Sequence, residues 1–569
     1  MFKLRRFLKH YKKELILGPF FKLLEAIFEL AVPLVMAQII DKGIGNNDSD
    51  YVWKMSGLIV VLGICGLGFA LTCQFFAAKC AYGFGTELRD ALYKHINKFS
   101  HAEIDRFGTS SLITRITNDT VLAQNGVNMF IRLAVRAPFL IVGAAVMSMT
   151  LDLKLSIIFL IAAPIITLII VWVMKKTVPM YKKIQKGLDK ISLLTRENLD
   201  GVRVIRAFSK QEEEKKELIN ESGRLSDNAV IAGKISAILN PVTFMIMNLG
   251  IVAILWFGGI RVDTGYLTQG EITAFVNYMT QILLALVVLA NLVIIFTKAA
   301  SSASRINEVF DTQPSMTDGS DTKFDFSSPA VEFENVSFSY PDAGDLSLNN
   351  ISFTLKKGEI LGIIGGTGSG KSTLANLVPR FYDITSGNIK IFGKDIKKYS
   401  MEELRNLIGI VPQRAALFSG TIADNMRWGK PDATDQEIIS ALKIAQAWEF
   451  VSKLTDGIKT NISQGGKNLS GGQRQRLTIA RALVGNPPVV ILDDSMSALD
   501  YATDLALRKA IESELKDTAV IMISQRATTL QNANHILVLD NGEAAGYGIH
   551  ETLLKNCEEY AEIYKSQMS

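Results

Sequence analysis

Ile360-Leu-Gly-Ile-Ile364 runs directly into Gly365-Gly366-Thr367-Gly368-Ser369-Gly370-Lys371-Ser372-Thr373, and an apolar helical pattern follows. The first five residues read as a buried strand. The whole segment is therefore strand, glycine loop and helix at the spacing GxxxxGK[ST], the context that gives this pattern its meaning. The glycines let backbone N–H groups turn inward around phosphate oxygens, and the helix N-terminus adds partial positive charge at the same place. Lys371 is placed to reach the β- and γ-phosphates of a nucleoside triphosphate, and the Ser372 hydroxyl to ligate Mg²⁺. The C-terminal part of the chain is accordingly expected to be an α/β P-loop nucleotide-binding domain.

Two further stretches belong to the same chemistry. Val489-Val-Ile-Leu-Asp493-Asp494 is a second buried strand ending in two carboxylates, with Asp493 positioned to hold Mg²⁺ directly or through water. Leu469-Ser470-Gly471-Gly472-Gln473 opens a helical pattern, offering a hydroxyl and free N–H groups to an anion. Lys371 already serves one phosphate chain in this domain. A second anion site implies that each nucleotide is sandwiched between two such domains.

Outward from the loop, the composition splits. Before about residue 310 long apolar stretches recur, and after it the chain reads as an ordinary α/β domain. A helix needs about 20 apolar residues to cross the bilayer core. Six stretches qualify or nearly so: roughly Leu15–Ile40, Met55–Ala78, Asn128–Thr150, Leu155–Met174, Ile238–Ile260 and Ile272–Phe296. Long, basic connections alternate with short, less basic ones, which places both termini in the cytoplasm. Charges alternate with apolar residues at helical spacing over Tyr82–Phe99 and Tyr181–Leu218, so the membrane helices are expected to continue well beyond the bilayer. Glu25 and Glu29, and Arg132 and Arg136, lie one helical turn apart within spans. They face either an aqueous cavity, or packing partners and the membrane face. A polar segment rich in Gly, Pro and Asp separates the halves. The expected division is 1–306 for a six-helix transmembrane domain, 307–329 for a linker and 330–569 for the nucleotide-binding domain.

Other classes are excluded. The net charge of +5 is small for 569 residues, and no arginine-rich or aromatic-interleaved basic patch appears, so no nucleic-acid partner is expected. Cys65, Cys73, Cys80 and Cys557 form no CxxC pair and read as apolar packing residues in a reduced compartment. The N-terminus does not read as a cleavable signal peptide.

Over its whole length the chain resembles an ABC exporter half-transporter, with the motifs in that family's order. By this resemblance Tyr340 corresponds to the aromatic that stacks on adenine. Gly365–Thr373 matches the Walker A loop, and Gln413 the Q-loop glutamine that senses Mg²⁺ and the membrane domain. Leu469–Gln473 matches the signature, Val489–Asp493 Walker B, and Ser497-Ala498-Leu499-Asp500 the D-loop. Asn118–Ala123 and Phe208–Glu213 resemble the two coupling helices. The resemblance implies ATP and Mg²⁺ as cofactors, with Ser372, Gln413 and Asp493 at the metal.

Two positions depart from the family pattern. Efficient members carry Glu after the Walker B Asp, where this chain has Asp494, and His in the switch loop, where it has Gln525. Asp is one methylene shorter, and a misplacement of about 1 Å can cost on the order of 100-fold in rate. Gln donates a hydrogen bond to a γ-phosphate but cannot take up a proton as imidazole does. Both changes, beside an intact Lys371 and signature, fit a site that binds ATP and hydrolyses it weakly. That combination resembles the degenerate-site subunit of heterodimeric bacterial multidrug exporters. Its Walker motifs would build the weak site, and its signature would complete the competent site of an unlike partner. The expected activity is ATP-driven export of amphipathic compounds (drugs, lipids or peptides) from the cytoplasm or inner leaflet. The expected setting is the lipid of a bacterial plasma membrane. An ATP-gated channel or regulatory ABC subunit is the alternative. Polar span residues such as Asn248, Asn277, Tyr278 and Gln281 read either as cavity lining or as interhelical hydrogen bonders.

Overall fold

Six helical stretches follow from the six apolar runs. In the computed structural model, which describes residues 2–341 and 343–568, they are α1 (Lys3–Ile44), α2 (Ser49–Ile96), α4 (Thr109–Leu151), α5 (Ile157–Asp200), α7 (Gln211–Asp263) and α8 (Gln269–Asp311). Two short helices intervene, α3 (His101–Phe107) and α6 (Val202–Ala207). At 1.5 Å per residue the 48-residue α2 is about 72 Å long, more than twice the ~30 Å hydrocarbon core. The helices therefore do extend far past their apolar windows, as the charge alternation predicts. Protein buries only 6% of the α2 window and 33% of the α8 window. Lipid or another chain must cover the remainder.

The chain divides into two compact units. One comprises Met1–Asn97 with Ser110–Thr312, the other Lys98–Thr109 with Gln313–Ser569. The boundary falls after Thr312 and not after 306, because α8 keeps its helical pattern through Asp311. A second departure is that Lys98–Thr109 groups with the C-terminal unit.

Within the helical unit, small residues set close contacts. A Cβ on Gly143 would lie 2.5 Å from the Leu30 side chain, and one on Gly18 2.5 Å from Ile131. Both span glutamates pair with a cation: Glu25 with Lys22 at 2.6 Å and Glu29 with Arg136 at 2.6 Å. Tyr278 donates to the Leu30 carbonyl at 2.8 Å, an interhelical bond. Asn277 bonds within its own helix, to the Thr273 carbonyl.

Asn118–Ala123 is not a separate coupling helix. It lies inside α4, where Asp119 is fully buried and accepts from Ser302 and Arg305 of α8. Phe208–Glu213 straddles the turn between α6 and α7, where Ser209 takes a φ of 52°.

The C-terminal unit holds twelve strands among the described residues. These are β1 (Val331–Phe338), β2 (Leu348–Leu355), β3 (Ile360–Gly365), β4 (Ser386–Ile391), β5 (Lys394–Asp395), β6 (Ile408–Val411), β7 (Gly420–Thr421), β8 (Asn461–Ile462), β9 (Val489–Asp493), β10 (Ala519–Ile523), β11 (His535–Asp540) and β12 (Glu543–Gly548). The main sheet runs β12-β11-β3-β10-β9-β6. From β11 to β6 it is parallel, and only the edge strand β12 is antiparallel. A four-stranded antiparallel sheet, β2-β1-β4-β5, stands beside it, and β7 pairs with β8. Strands β9 and β10 are buried at every position, which explains their unbroken aliphatic sequences. Four helices matter for the site: α9 (Lys371–Leu377), α10 (Gly471–Leu483), α11 (Tyr501–Glu514) and α12 (Glu558–Met568).

The helix α3 belongs to this unit for identifiable reasons. Ser100 and Glu103 form a reciprocal capping box at its start, and Gly108, at φ +74°, ends it. Asp105 accepts a 2.6 Å hydrogen bond from the hydroxyl of buried Tyr382, and His101 stacks on Phe381 with centroids 4.4 Å apart. Part of the expected linker is also pinned. Gly319 and Asp321 donate backbone N–H groups to Tyr399 and Lys398, and a Cβ on Gly319 would lie 2.3 Å from the Lys398 carbonyl oxygen.

Candidate nucleotide site

Three adjacent parallel strands end together. Gly365 closes β3, Asp493 closes β9, and Ile523, paired in register with Asp493, closes β10. The carboxyl ends of parallel strands are where an open α/β sheet leaves a crevice for ligands. A cleft of about 680 Å³ lies here, and it gathers residues that the sequence disperses. Tyr340, Thr367, Gly368, Gly370, Lys371, Ser372, Thr373, Gln413, Asp493, Asp494 and Gln525 all line it.

The loop geometry follows from its glycines. Gly368 and Gly370 have φ of +85° and +96°, which side-chain-bearing residues adopt only with strain. At Gly366 and Gly368 the space a Cβ would occupy is open, which leaves the backbone N–H groups accessible to an anion. Within the loop, Gly365, Gly366 and Ser369 hold Lys371. Its ammonium donates to the Gly365 carbonyl at 2.8 Å, the Gly366 carbonyl at 2.6 Å and Ser369 Oγ at 3.3 Å. Burial lowers the lysine's affinity for its proton, and Asp494 and Asp493 push back in the other direction. These internal bonds are ones that phosphate oxygens can replace.

Ser372 donates to Asp493 Oδ1 at 3.1 Å. Burial raises the Asp493 carboxyl's affinity for a proton; the Ser372 bond opposes this, and the Asp494 charge reinforces it. Gln413 donates to Asp494 Oδ2 at 3.3 Å, so the Q-loop and the second carboxylate are already joined. Asp494 itself sits at φ +45°, an uncommon conformation for a residue with a side chain. A hydroxyl, a carboxylate and an amide on one wall form the hard oxygen set that suits Mg²⁺.

At the other end of the cleft, Tyr340 donates to or accepts from Thr373 Oγ1 at 3.2 Å, and its ring meets Tyr382 edge-on at 5.2 Å. Sequence reasoning missed several neighbours here, among them Asn541 and Gly542 of the β11–β12 turn. That signal was available, since Asn-Gly between two strands marks a tight hairpin. Asn541 and Gly542 have φ of 46° and 82°.

The signature does not join this cleft. Ser470 caps α10, accepting from the Gln473 N–H at 3.2 Å, while Gln473 accepts from the Ser470 N–H at 2.8 Å. Ser470 and Gly471 are exposed. The D-loop lies against the signature, with the Ala498 carbonyl 3.5 Å and the Leu499 side chain 3.9 Å from where a Gly472 Cβ would be. Asp500 caps α11 through Thr503, whose N–H bond is the main reason the carboxyl holds its proton less tightly than usual. The candidate residues thus form two groups, a cleft and an exposed signature surface.

Comparison with known proteins agrees with both units. Residues 15–287 match the model of the ABC transporter transmembrane region, and residues 348–497 that of the ABC transporter. YfiB of Bacillus subtilis, an uncharacterized ABC transporter ATP-binding protein, is 39% identical over 100% of this chain and 98% of its own length. An ATP-dependent lipid A-core flippase of Haemophilus influenzae is 32% identical, covering 99% and 96%. A solved bacterial Atm1-family ABC exporter with ATP bound shares the fold, with a TM-score of 0.81 at 24% identity over 98% of each chain.

Proposed function

Because the chain belongs to the ABC transporter family, with membrane region and ATP-binding region on one polypeptide, we propose that it is one half of a heterodimeric exporter and contributes a weakly hydrolytic ATP site. The separation of the two phosphate-binding elements carries the dimer, and Asp494 and Gln525 in place of Glu and His carry the weak site and the unlike partner. Lys371 and its loop face one cleft, while Ser470 and the α10 N-terminus are exposed elsewhere. A helix N-terminus capped by Ser470 and opening on Gly471-Gly472 is suited to an anion that its own chain does not deliver.

The residues then take distinct roles. Backbone N–H groups of Gly366–Lys371 and the Lys371 ammonium hold the phosphates, and Tyr340 stacks on the base. Ser372, Asp493 and Gln413 would hold Mg²⁺, which would supply positive charge against the phosphates. Asp494 is a methylene short of the carboxylate reach that orients an attacking water, and Gln525 donates a hydrogen bond to the γ-phosphate without accepting a proton. ATP in this site is therefore retained over many cycles. Ser470 and the first N–H groups of α10 meet the ATP held by the partner's Walker motifs and stabilise charge there as water displaces ADP from the γ-phosphorus. The cargo is an amphipathic compound carried outward through the membrane helices, a class that includes the lipid named for the flippase relative. The nucleotide-binding unit and both termini lie in the cytoplasm, by the loop-charge rule.

The test is assembly. Purified alone, the chain should show little ATPase, and co-expression with an unlike half-transporter carrying Glu and His at the two altered positions should restore it. A homodimer turning over near ~10 s⁻¹, the middle of the enzyme range, would falsify the heterodimer reading.

A further inference from the structure

We propose that the last helix, α12, latches the switch segment and that Gln567 is the positioning residue that holds Gln525 toward the nucleotide. The inference rests on the reading of the cleft as an ATP site.

The side-chain amide of Gln567 spans the switch segment. Its Nε2 donates to the Gln525 carbonyl at 2.7 Å, and its Oε1 accepts from the Ala527 N–H at 2.8 Å. Both partners are backbone groups flanking Arg526, so the amide fixes the path of the main chain at the switch. The segment is fixed from its other side too, since Ser524 donates its N–H to the Ile363 carbonyl and accepts from the Arg526 N–H at 3.0 Å. The helix that carries Gln567 is itself anchored. Tyr560 is fully buried and hydrogen-bonded to His550 Nδ1 at 2.7 Å, and Ile563 and Tyr564 pack on the core beneath the main sheet.

Gln525 needs such a hold because it borders two spaces. One is the nucleotide cleft. The other is a cavity of about 360 Å³ behind it, lined by Asp494, Ser497, Asp504, Ser524, Gln525, Thr529 and Gln567 among others. Asp504 in that wall is 3% exposed, and its Oδ2 pairs with Arg508 at 3.2 Å, yet its Oδ1 is buried without a hydrogen-bond partner. An unpaired buried carboxylate oxygen is costly and will accept an available N–H. Gln525 and Arg526 line the same cavity as Asp504, so a Gln525 amide turned away from the cleft faces that acceptor. The switch residue thus has two acceptors to choose between, a γ-phosphate oxygen in front and Asp504 behind. The Gln567 bonds hold its backbone in the forward setting.

The experiment uses the full-length transporter in liposomes. An azido-ATP carrying an α-phosphate label is loaded, chased with unlabelled ATP, and crosslinked to this subunit at successive times. Gln567→Met keeps the side-chain length and removes both bonds; it should shorten label retention about fivefold to tenfold while steady-state kcat stays within about twofold. Gln567→Glu, which accepts from Ala527 but cannot donate to Gln525, should fall between. The deciding arm is the pair Gln525→Ala and Gln525→Ala with Gln567→Met. If Gln567 acts through Gln525, the second substitution changes retention no further. Additive effects mean that Gln567 only supports the fold, and unchanged retention in Gln567→Met removes the latch; either overturns the inference. Lys371→Ala serves as control. Loss of labelling there upholds the ATP-site reading independently, and persistent labelling refutes that reading.

Discussion

At the scale of single residues, the proposed weak ATP site and the proposed signature for a competent one fall to different side chains. Lys371→Ala removes the ammonium from a cradle whose backbone stays intact. Photo-labelling of this subunit by an ATP analogue should drop by at least tenfold, since a charge-assisted bond contributes about 1.5–3 kcal/mol. Ser470→Arg places bulk and positive charge on the exposed signature and should abolish nearly all ATPase of the proposed heterodimer. Asp494→Asn should leave a substantial fraction, because little chemistry falls to it. If steady-state ATPase of the Asp494 variant falls as far as that of Ser470→Arg, the assignment of weak and competent sites must be reversed. The cleft residues were legible in the sequence because each motif is local: a strand, a few fixed residues, a helix. Gln567 and Tyr382 were not. Gln567 meets Gln525 across 42 residues and Tyr382 meets Asp105 across 277, and no short-range pattern announces either contact.

At the scale of elements, the apolar runs announced the spans and their charged continuations, since hydropathy and helical period act over tens of residues. The short helix α3 was overlooked, although Ser100-x-x-Glu103 and Gly108 are a start and a stop seven residues long. Its attention-drawing features are polar, and they lie beside a stronger helical pattern in α4. Helix α3 is held by the Asp105–Tyr382 bond and the His101–Phe381 stack. Burial of His101 lowers its ring's affinity for a proton, with the Asp105 charge opposing this and Arg405 adding to it. Tyr382→Phe removes the partner of the exposed Asp105 carboxylate, which water can then solvate, and should weaken docking of α3 by about 0.5–1.5 kcal/mol. Amide hydrogen exchange over residues 101–107 should then quicken by roughly 2-fold to 13-fold, with ATP-analogue labelling of the cleft retained. Unaltered exchange there would mean that the stack alone secures the helix. Gly319→Ala is expected to free the pinned linker, because the new methyl would meet the Lys398 and Tyr399 carbonyl oxygens at 2.3 Å. Protease sensitivity between residues 312 and 325 is the readout, and a chain that stays resistant would show that the strand can shift to make room.

At the scale of the whole molecule, two-unit architecture was readable from the composition break, but the chain's actual partition was not. Residues 98–109 are written among the membrane helices and fold with the ATP-binding unit. This has a consequence for biosynthesis. A ribosome makes Asp105 long before it makes Tyr382, and the gap of 277 residues takes about 14–55 s at 5–20 residues per second. During that interval α3 has no surface to rest on, and the ATP-binding unit cannot finish folding until it captures a segment already tethered at both ends to membrane helices. Translation therefore enforces an order in which insertion of the first spans precedes completion of the nucleotide site. A fragment beginning at residue 313 lacks that segment. It should emerge from a cell-free translation less soluble than the same fragment supplied with a 98–109 peptide, and equal yields of soluble product would show that the unit closes without it.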